Sequence, residues 1–270
     1  MRTPPVTLLD GPIGTELISR GVPTSGVAWT AWAASRAPDT LAAVHAEYAH
    51  AGAVVHTANT FRTTPSAVGG AWRSLAERSV AVARSAVPPS HRIAGAIAPV
   101  HDCYRPDLSP PNARAHHRRT AAHLAGLGVD LLLCETFAHV DEAIAAVEAC
   151  VATRVPTWLA LTAGPDADLL THAEVRAGAA RAVAVGARAI LINCVPADRT
   201  LPFVEAIADL GVPFGAYANG WPSPGGSGPR NPSTPASYAV HARSWRAAGA
   251  TLIGGCCGTG PAHVRELMAM

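Results

Sequence analysis

The sequence has 270 residues, of which 49% are hydrophobic and 15% charged, and its formal net charge is +2 at pH 7. This composition excludes a disordered or fibrous protein, and the length is enough to bury a sizeable core in one or two domains. The densest basic run is HHRR at 116–119, which is too short to indicate a nucleic-acid surface, so we expect small-molecule partners and no nucleic acid.

Eight short apolar runs alternate along the chain with stretches of helical periodicity. The runs lie at 6–10, 53–59, 92–98, 129–135, 157–162, 187–194, 213–219 and 250–256. Most are apolar throughout, which is typical of parallel strands covered on both faces. Helices are predicted over 38–52, which begins with Pro and Asp, and over 139–152, which has acids in its first turn. A glycine lies directly before four of the runs and two residues before the run at 213–219, as expected where a helix ends just before a strand.

Eight strand and helix units in a chain of this length predict a (β/α)8 TIM barrel, with residues 1–270 forming a single domain. An open doubly wound sheet is the alternative fold. It is disfavoured because no glycine-rich dinucleotide fingerprint follows any of the strands. The segment rich in glycine and proline at 219–233 is interpreted as a long loop after the seventh strand.

The N-terminal apolar stretch is too short for a signal peptide, and no window is apolar enough to span a membrane. The sequence therefore predicts a cytoplasmic protein with no membrane partner. Thiols stay reduced in the cytoplasm, so the six cysteines are expected to be metal ligands, nucleophiles or core residues rather than disulfides.

Polar residues gather where the predicted strands end. In a TIM barrel these ends form one rim, and the rim carries the active site. Core packing alone does not account for such a cluster on strands that are otherwise apolar, so we expect the site here. The residues at the rim are Asp10, Asn59, Thr60, Glu135, Thr162, Asn193, Cys194, Asn219, Cys256 and Cys257.

The cysteines at the sixth and eighth strand ends suggest a metal centre. Cys194 and the pair Cys256 and Cys257 would converge at one mouth, where three thiolates hold zinc and leave a fourth position open for catalysis. The preceding glycines, Gly254 and Gly255, would let the backbone bend so that both neighbouring cysteines reach the metal. Free cysteine is also a common core residue, so spacing alone leaves both interpretations open.

The remaining cysteines and histidines carry weaker signals. Cys150 is predicted to be a core residue of a helix, and Cys134 to pack against the helices, while Cys103 has no informative context. The histidines at 116 and 117 are interpreted as a solvated helix face, and His101 as a residue that either lines the mouth or faces solvent.

Three thiolates make an electron-rich metal site, which keeps a bound thiolate nucleophilic. Histidine and carboxylate ligands suit water activation better, so this set favours transfer of an alkyl group to sulfur. Two acids at the same rim, Asp10 and Glu135, would hold a cationic group of the substrate. An amino acid that carries a thiol satisfies both requirements.

These residues occur in motifs that resemble the homocysteine S-methyltransferases from about residue 6 to residue 267. The motifs are DGPIGTEL, AWTAW, HTANTFRTTP, LLLCETF, ILINC, AYANG and LIGGCCGTGPAHVREL. The resemblance implies a TIM barrel in which Cys194, Cys256 and Cys257 bind Zn²⁺. It also implies that Asp10 and Glu135 contact the amino group of homocysteine.

Further substrate residues follow from the resemblance. Gly11, Asn59 and Thr60 would lie close to the homocysteine carboxylate, while Asn193 would support a metal ligand and Asn219 would face the site. The implied reaction moves a methyl group from S-methylmethionine or S-adenosylmethionine to homocysteine and gives methionine. A chain without room for folate or cobalamin domains is not expected to be a complete cobalamin-dependent synthase.

The methyl donor is the part of the reaction that the sequence defines least. Trp29, Tyr104 and Trp221, together with Trp32, would form an aromatic box for a sulfonium ion, although each could also be an ordinary packing residue. Betaine-using relatives place aromatic residues where this chain has Arg62 and Phe137, which disfavours betaine.

Several departures from the family pattern leave open an acceptor other than homocysteine. Pro12 removes a backbone N–H near the expected carboxylate site, AYANG at 216–220 replaces a commoner form, and the loop at 101–113 is short. The alternatives are a different thiol or a selenol as acceptor, betaine as donor, a zinc hydrolase, and a non-catalytic thiol-binding or zinc-binding protein. Either a monomer or a homodimer is compatible with the sequence.

Overall fold

The computed structural model describes residues 5–221 and 233–270, so most of the loop predicted at 219–233 lies outside the described residues. Eight parallel strands form a nearly closed ring in which the second to the eighth strands each pair with their neighbours along the chain, and the eighth strand pairs with the first. The strands are β1 (Thr7–Leu8), β2 (Val55–Ala58), β3 (Arg92–Ile97), β4 (Leu131–Phe137), β5 (Thr157–Leu161), β6 (Ala189–Pro196), β7 (Phe214–Asn219) and β8 (Leu252–Gly255).

The seam between β1 and β2 closes the ring. A single parallel bridge joins Leu9 to Val55 there, beyond the end of the short first strand. The Asp10 carboxylate reinforces this bridge, because its Oδ2 accepts the backbone N–H of Thr57 at 2.7 Å. The fold is therefore the predicted TIM barrel, with a first strand shorter than the apolar run at 6–10 suggested.

Helices fill the connections and cover the outside of the ring. The helices predicted over 38–52 and 139–152 are confirmed. The helices of the described residues are α1 (Ile13–Ser19), α2 (Ala33–Arg36), α3 (Pro38–His50), α4 (Pro65–Val68), α5 (Trp72–Ala86), α6 (Ala113–Gly126), α7 (Val140–Val151), α8 (His172–Ala184), α9 (Ala197–Ala206), α10 (Pro235–Ala247) and α11 (Pro261–Leu267). Within the same ranges, no helix is both long enough and apolar enough to cross a bilayer.

Glycines end the turns that lead from helices into strands, as predicted. Their φ values lie between 71° and 108°, in the left-handed region that residues with a Cβ rarely adopt. A side chain at any of these positions would strain the turn that feeds the next strand. The five glycines are Gly52, Gly128, Gly186, Gly211 and Gly249.

The strands separate two apolar layers, one inside the ring and one beneath the helices. On β4 the side chains of Leu131 and Leu133 face the interior cluster, and strand alternation gives Glu135 the same inward direction. Cys134 points the opposite way, and its Sγ lies 3.5 Å from the Sγ of Cys150 on α7. Both thiols are free and buried in the outer layer, which confirms them as core residues.

The prediction of a solvated face at residues 116 and 117 is wrong for His117. Its side chain is buried, and Nε2 lies 3.1 Å from Oε1 of Glu142 on the neighbouring helix α7. The same carboxylate oxygen accepts the backbone N–H of Val100 at 2.8 Å. His117 is buried because this face of α6 packs against α7, where Glu142 supplies a polar partner.

A pair of buried histidines lies between α3 and β2. His45 and His56 are both fully buried, and their ring centroids are 6.5 Å apart. Neither ring nitrogen of His45 has a hydrogen-bond partner among the described residues. Burial lowers the pKa of His45 to about 3 and that of His56 to about 4.

These depressed pKa values predict loss of stability in mild acid. Below pH 6.5 the unfolded chain binds protons at both histidines that the folded chain does not, so the free energy of unfolding decreases as the pH falls from 6.5 towards 4. Each histidine contributes a loss on the order of 2 kcal/mol by pH 5. Urea unfolding of the metal-free protein at pH 7 and pH 5 measures the difference.

The variant His45→Phe should lose about half of this pH dependence, since phenylalanine fills the site without titrating. His50→Gln is the matched control, because His50 is exposed on the same helix, and it should keep the full dependence. An unchanged difference between pH 7 and pH 5 in His45→Phe would contradict the assignment.

Candidate active site

The C-terminal ends of the strands open into a cavity of about 620 Å³. Its walls are mainly apolar, and polar groups are concentrated on a few of the strand ends and on the loops after β2 and β3. A mostly apolar cavity with a few convergent polar groups is the usual form of a small-molecule site. The polar and ionisable side chains that line it include Asp10, Thr57, Asn59, Arg62, His101, Asp102, Tyr104, Glu135, Thr136, Cys194, Tyr217, Cys256 and Cys257.

Three cysteines converge in this cavity, as predicted. Cys194 lies on β6, and Cys256 and Cys257 directly follow β8, yet their Sγ atoms all lie within 4.8 Å of one another. None of the three forms a disulfide. Three sulfur donors suit zinc or another thiophilic ion far better than magnesium or calcium. The cluster is thus a possible metal site.

An unusual backbone conformation directs Cys194 into the cavity. Its φ of 53° is in the left-handed region, and β6 carries a bulge between Asn193 and Pro196. Thr136 on β4 also has a positive φ, 62°, beside a similar bulge, and its Oγ1 accepts a hydrogen bond from Asn193 Nδ2 at 2.7 Å. Bulges re-aim side chains next to active sites, and strain of this kind persists only where the surroundings enforce it.

The two glycines before the cysteine pair are required by close packing. A Cβ on Gly255 would lie 2.1 Å from Oγ1 of Thr259, and one on Gly254 would lie 2.7 Å from Leu9 Cβ. The cysteine that follows is fixed by its own backbone, since Cys256 N donates to the carbonyl of Ala218 at 2.8 Å. The glycines therefore bring β8 close to its neighbours, and no left-handed bend is needed at either position.

Two carboxylic acids face the same cavity. Asp10 is 5% exposed at the end of β1, where both oxygens accept hydrogen bonds from Thr57. Burial raises the pKa of Asp10 well above its usual value, and the nearby charge of Glu135 raises it further. Burial likewise raises the pKa of Glu135 to about 7, and the Cys257 thiol adds to this shift. A cationic ligand group would relieve the cost of ionising both acids.

The other predicted substrate residues divide into two groups. Gly11 and Asn59 line the cavity, although the Asn59 amide is already bonded to Thr30, donating to its carbonyl at 2.9 Å. Thr60, Asn193 and Asn219 do not line it.

Thr60 and Asn219, which were expected near the substrate, each form a hydrogen bond within the wall, whereas Asn193 lies beside Cys194 in the supporting position expected for it. Thr60 Oγ1 accepts the N–H of Ala96 at 2.8 Å, and Asn219 Nδ2 donates to the carbonyl of Cys194 at 3.0 Å. Thr60 thus ties β2 to β3, and Asn193 and Asn219 hold the backbone and neighbours of Cys194 in place.

The predicted aromatic box is only partly assembled. Trp29 and Tyr104 line the cavity, and so does His101. Trp221 does not line it and is 40% exposed over Gly258, while Trp32 lies elsewhere beneath the guanidinium of Arg36.

Three aromatic residues that were not predicted from the sequence also line the cavity: Phe61, Trp158 and Tyr217. Phe61 packs edge-on against Trp29 with ring centroids 6.4 Å apart. Trp158 and Tyr217 occupy inward positions in the middle of their strands. Strand alternation counted back from the rim would have found Tyr217, which lies two residues before Asn219.

Comparisons with known proteins agree on one family. The family model described as Homocysteine S-methyltransferase matches residues 7–270. The chain is 29% identical over 301 residues to Homocysteine S-methyltransferase of Escherichia coli (strain K12), covering 98% of this chain and 94% of that protein. It is 26% identical over 288 residues to S-methylmethionine--homocysteine S-methyltransferase BHMT2 of Pongo abelii, covering 97% and 77%.

A solved structure shares the architecture as well as the sequence. The metallated form of the homocysteine methyltransferase MmuM from Escherichia coli superimposes with a TM-score of 0.82 at 28% sequence identity. The match covers 98% of this chain and 96% of that one. The shared region therefore includes the whole rim that carries the cysteines and the acids.

Proposed function

Because the chain belongs to the homocysteine S-methyltransferase family, we propose that it transfers a methyl group from S-methylmethionine or S-adenosylmethionine to L-homocysteine and gives methionine. One observation carries the proposal: three thiols and two carboxylic acids face the same cavity. The thiols suit a metal that binds sulfur, and the acids suit an ammonium group. L-Homocysteine carries both a thiol and an ammonium group.

The acids would orient the acceptor. With Asp10 and Glu135 ionised, two carboxylates face the homocysteine ammonium group from β1 and β4. Gly11 and Asn59 line the adjacent wall, where the family resemblance places the carboxylate of homocysteine. We take the barrel, residues 1–270, as the homocysteine-binding unit.

The metal would be Zn²⁺, with Cys194, Cys256 and Cys257 as its ligands. The donor set fits, since three free thiols converge without forming a disulfide, and the structure of E. coli MmuM is of a metallated form. When bound, zinc keeps the acceptor sulfur as a thiolate at neutral pH. Asn193 and Asn219 support the ligands by fixing Cys194.

Methyl transfer makes one C–S bond and breaks another. The homocysteine thiol loses its proton to solvent, and its sulfur attacks the methyl carbon of the sulfonium donor. The electron pair of the broken bond returns to the donor sulfur, which leaves as a neutral thioether. Trp29 and Tyr104 line the wall, where their rings would attract a sulfonium cation, and the mainly apolar lining would exclude water.

The remaining parts of the proposal concern the protein's surroundings. We place the reaction in the cytoplasm, with homocysteine and the methyl donor as partners, without nucleic acid or membrane, and with the protein as a monomer or a homodimer. A different thiol or selenol acceptor, betaine as donor, a zinc hydrolase and a non-catalytic thiol-binding or zinc-binding protein are the alternatives to this proposal.

The test uses zinc-loaded protein and homocysteine deuterated on its backbone. The label separates methionine made from the acceptor from methionine released by S-methylmethionine. Incubation with S-methylmethionine, S-adenosylmethionine or betaine is followed by mass spectrometry. Labelled methionine is expected from a sulfonium donor and not from betaine. No labelled methionine from any donor, with zinc still bound, would exclude homocysteine as the acceptor.

A further inference from the structure

One charged residue of the cavity, Arg62, has no role in binding the acceptor or the metal. Arg62 follows Phe61 in the loop after β2, and its side chain lines the cavity. Among the described lining residues it is the only lysine or arginine. The acids Asp10 and Glu135 account for an ammonium group, whereas Arg62 supplies the opposite charge.

The guanidinium of Arg62 is held in place from two sides. Nη1 donates to the carbonyl of His101 at 2.7 Å, and Nη2 lies 3.9 Å from the Sγ of Cys103, both in the loop after β3. Its Cζ lies 4.8 Å from the centroid of the Phe61 ring. These contacts use only part of the five N–H donors of a guanidinium, so the group is preoriented with donors to spare.

Arg62 also has no acidic partner within the part of the chain that the structure describes, residues 5–221 and 233–270. No carboxylate oxygen there lies within 4.0 Å of its nitrogens. A fixed, half-buried cation of this kind in a mainly apolar cavity favours an anionic ligand group.

The position of Arg62 separates it from the acceptor groups. The acids and cysteines that would hold homocysteine lie at the ends of β1, β4, β6 and β8, whereas Arg62 lies four residues beyond the end of β2. Its neighbours are the aromatic residue Phe61, which packs against Trp29, and the loop that carries Tyr104. Aromatic faces beside a fixed guanidinium match a ligand in which a sulfonium lies a few carbons from a carboxylate.

We propose that Arg62 binds the α-carboxylate of the methyl donor, which makes the donor a sulfonium amino acid. This inference rests on the proposed function and adds the group by which the donor is recognised. The carboxylate would accept hydrogen bonds from the guanidinium, while the sulfonium lies towards Phe61, Trp29 and the cysteines.

The experiment compares two donors that differ only in the carboxylate. S-Methylmethionine carries it, and (3-aminopropyl)dimethylsulfonium retains the sulfonium and the ammonium group but lacks it. Arg62→Met removes the charge at similar side-chain length. Arg62→Lys retains a positive charge but lacks the planar guanidinium that can donate two parallel hydrogen bonds to a carboxylate. Arg73→Met is the matched control, because Arg73 is an exposed arginine whose Cζ lies 4.6 Å from the Trp72 ring, away from the cavity.

Arg62→Met should lower kcat/KM for S-methylmethionine by about 10- to 100-fold, with the KM for homocysteine unchanged. The effect on the carboxylate-free analogue, measured as a substrate or as a competitive inhibitor, should be less than about threefold. Arg62→Lys should recover part of the loss, and Arg73→Met should match the wild type. Calorimetric binding of both compounds to the zinc-loaded proteins provides a readout that is independent of turnover.

Equal losses for both compounds would overturn the proposal, and so would a loss confined to homocysteine. The proposal would also be overturned if the wild type bound S-methylmethionine and the carboxylate-free analogue no more tightly than the Arg62→Met protein does. Failure of the proposed function looks different: the wild type would then discriminate between the two compounds in binding but produce no labelled methionine.

Discussion

Cys256→Ser protein is expected to retain less than about a tenth of the zinc bound by the wild type and to form methionine at least about 10³-fold more slowly. A serine hydroxyl is not ionised at neutral pH and is a poor ligand for a thiophilic metal, so two thiolates remain where three are needed. Cys256 is buried and lines the cavity with Cys194 and Cys257. Bound zinc is measured by elemental mass spectrometry, and turnover is measured with labelled homocysteine.

Cys150→Ala is the control for this experiment. Cys150 is also a buried free cysteine, but it lies against Cys134 in the outer layer of the barrel. This variant should keep its zinc and its activity at a small cost in stability. Circular dichroism verifies that both proteins are folded. Full zinc content in folded Cys256→Ser protein would show that the three-cysteine centre is incorrectly assigned.

Glu135→Gln should keep the zinc and lose affinity for the acceptor. The amide has nearly the shape of the carboxylate but no charge, so the homocysteine ammonium group loses one of two partners in a buried site. We expect kcat/KM for homocysteine to fall by about 10²-fold, mainly through KM. Steady-state kinetics at a saturating concentration of S-methylmethionine separates the effects on kcat and KM.

The control for the acceptor experiment is Glu148→Gln, which removes a carboxylate that pairs with Arg114 on the outside of the barrel. Its kinetics should equal those of the wild type. An unchanged KM for homocysteine in Glu135→Gln, or loss of zinc from it, would show that Glu135 does not bind the acceptor as proposed.

The sequence was sufficient to predict the barrel because each element carries its own signal. Continuous apolar runs marked all eight strands, and glycines such as Gly128 and Gly186 marked the turns before them. The first strand was overestimated, since only Thr7 and Leu8 form β1 and Leu9 joins Val55 through an isolated bridge. The burial of His117 depends on a partner 25 residues away, Glu142, and no local pattern shows such a partner.

The sequence was sufficient to predict which strand ends carry the site. It was not sufficient to predict which way every side chain there points. Parallel strands end on one rim, so Asp10, Glu135 and the three cysteines were found by position alone. Asn193 and Cys194 are neighbours, and the bulge with its positive φ decides which of them faces the cavity. Backbone irregularities of this kind leave little trace in composition, and Thr60 and Asn219, which lie in the wall, were expected to face the site.

The Asp10 carboxylate that would hold the acceptor also closes the ring. It accepts the amide of Thr57 across the seam, and the Asp10 carbonyl accepts the N–H of Gly255, one residue before the cysteine pair. The first and last strands of the chain therefore meet at the substrate. A polypeptide still leaving the ribosome lacks both the last strand, which pairs with the first, and two of its three metal ligands. Catalytic competence would thus be acquired only when synthesis of the barrel is essentially complete.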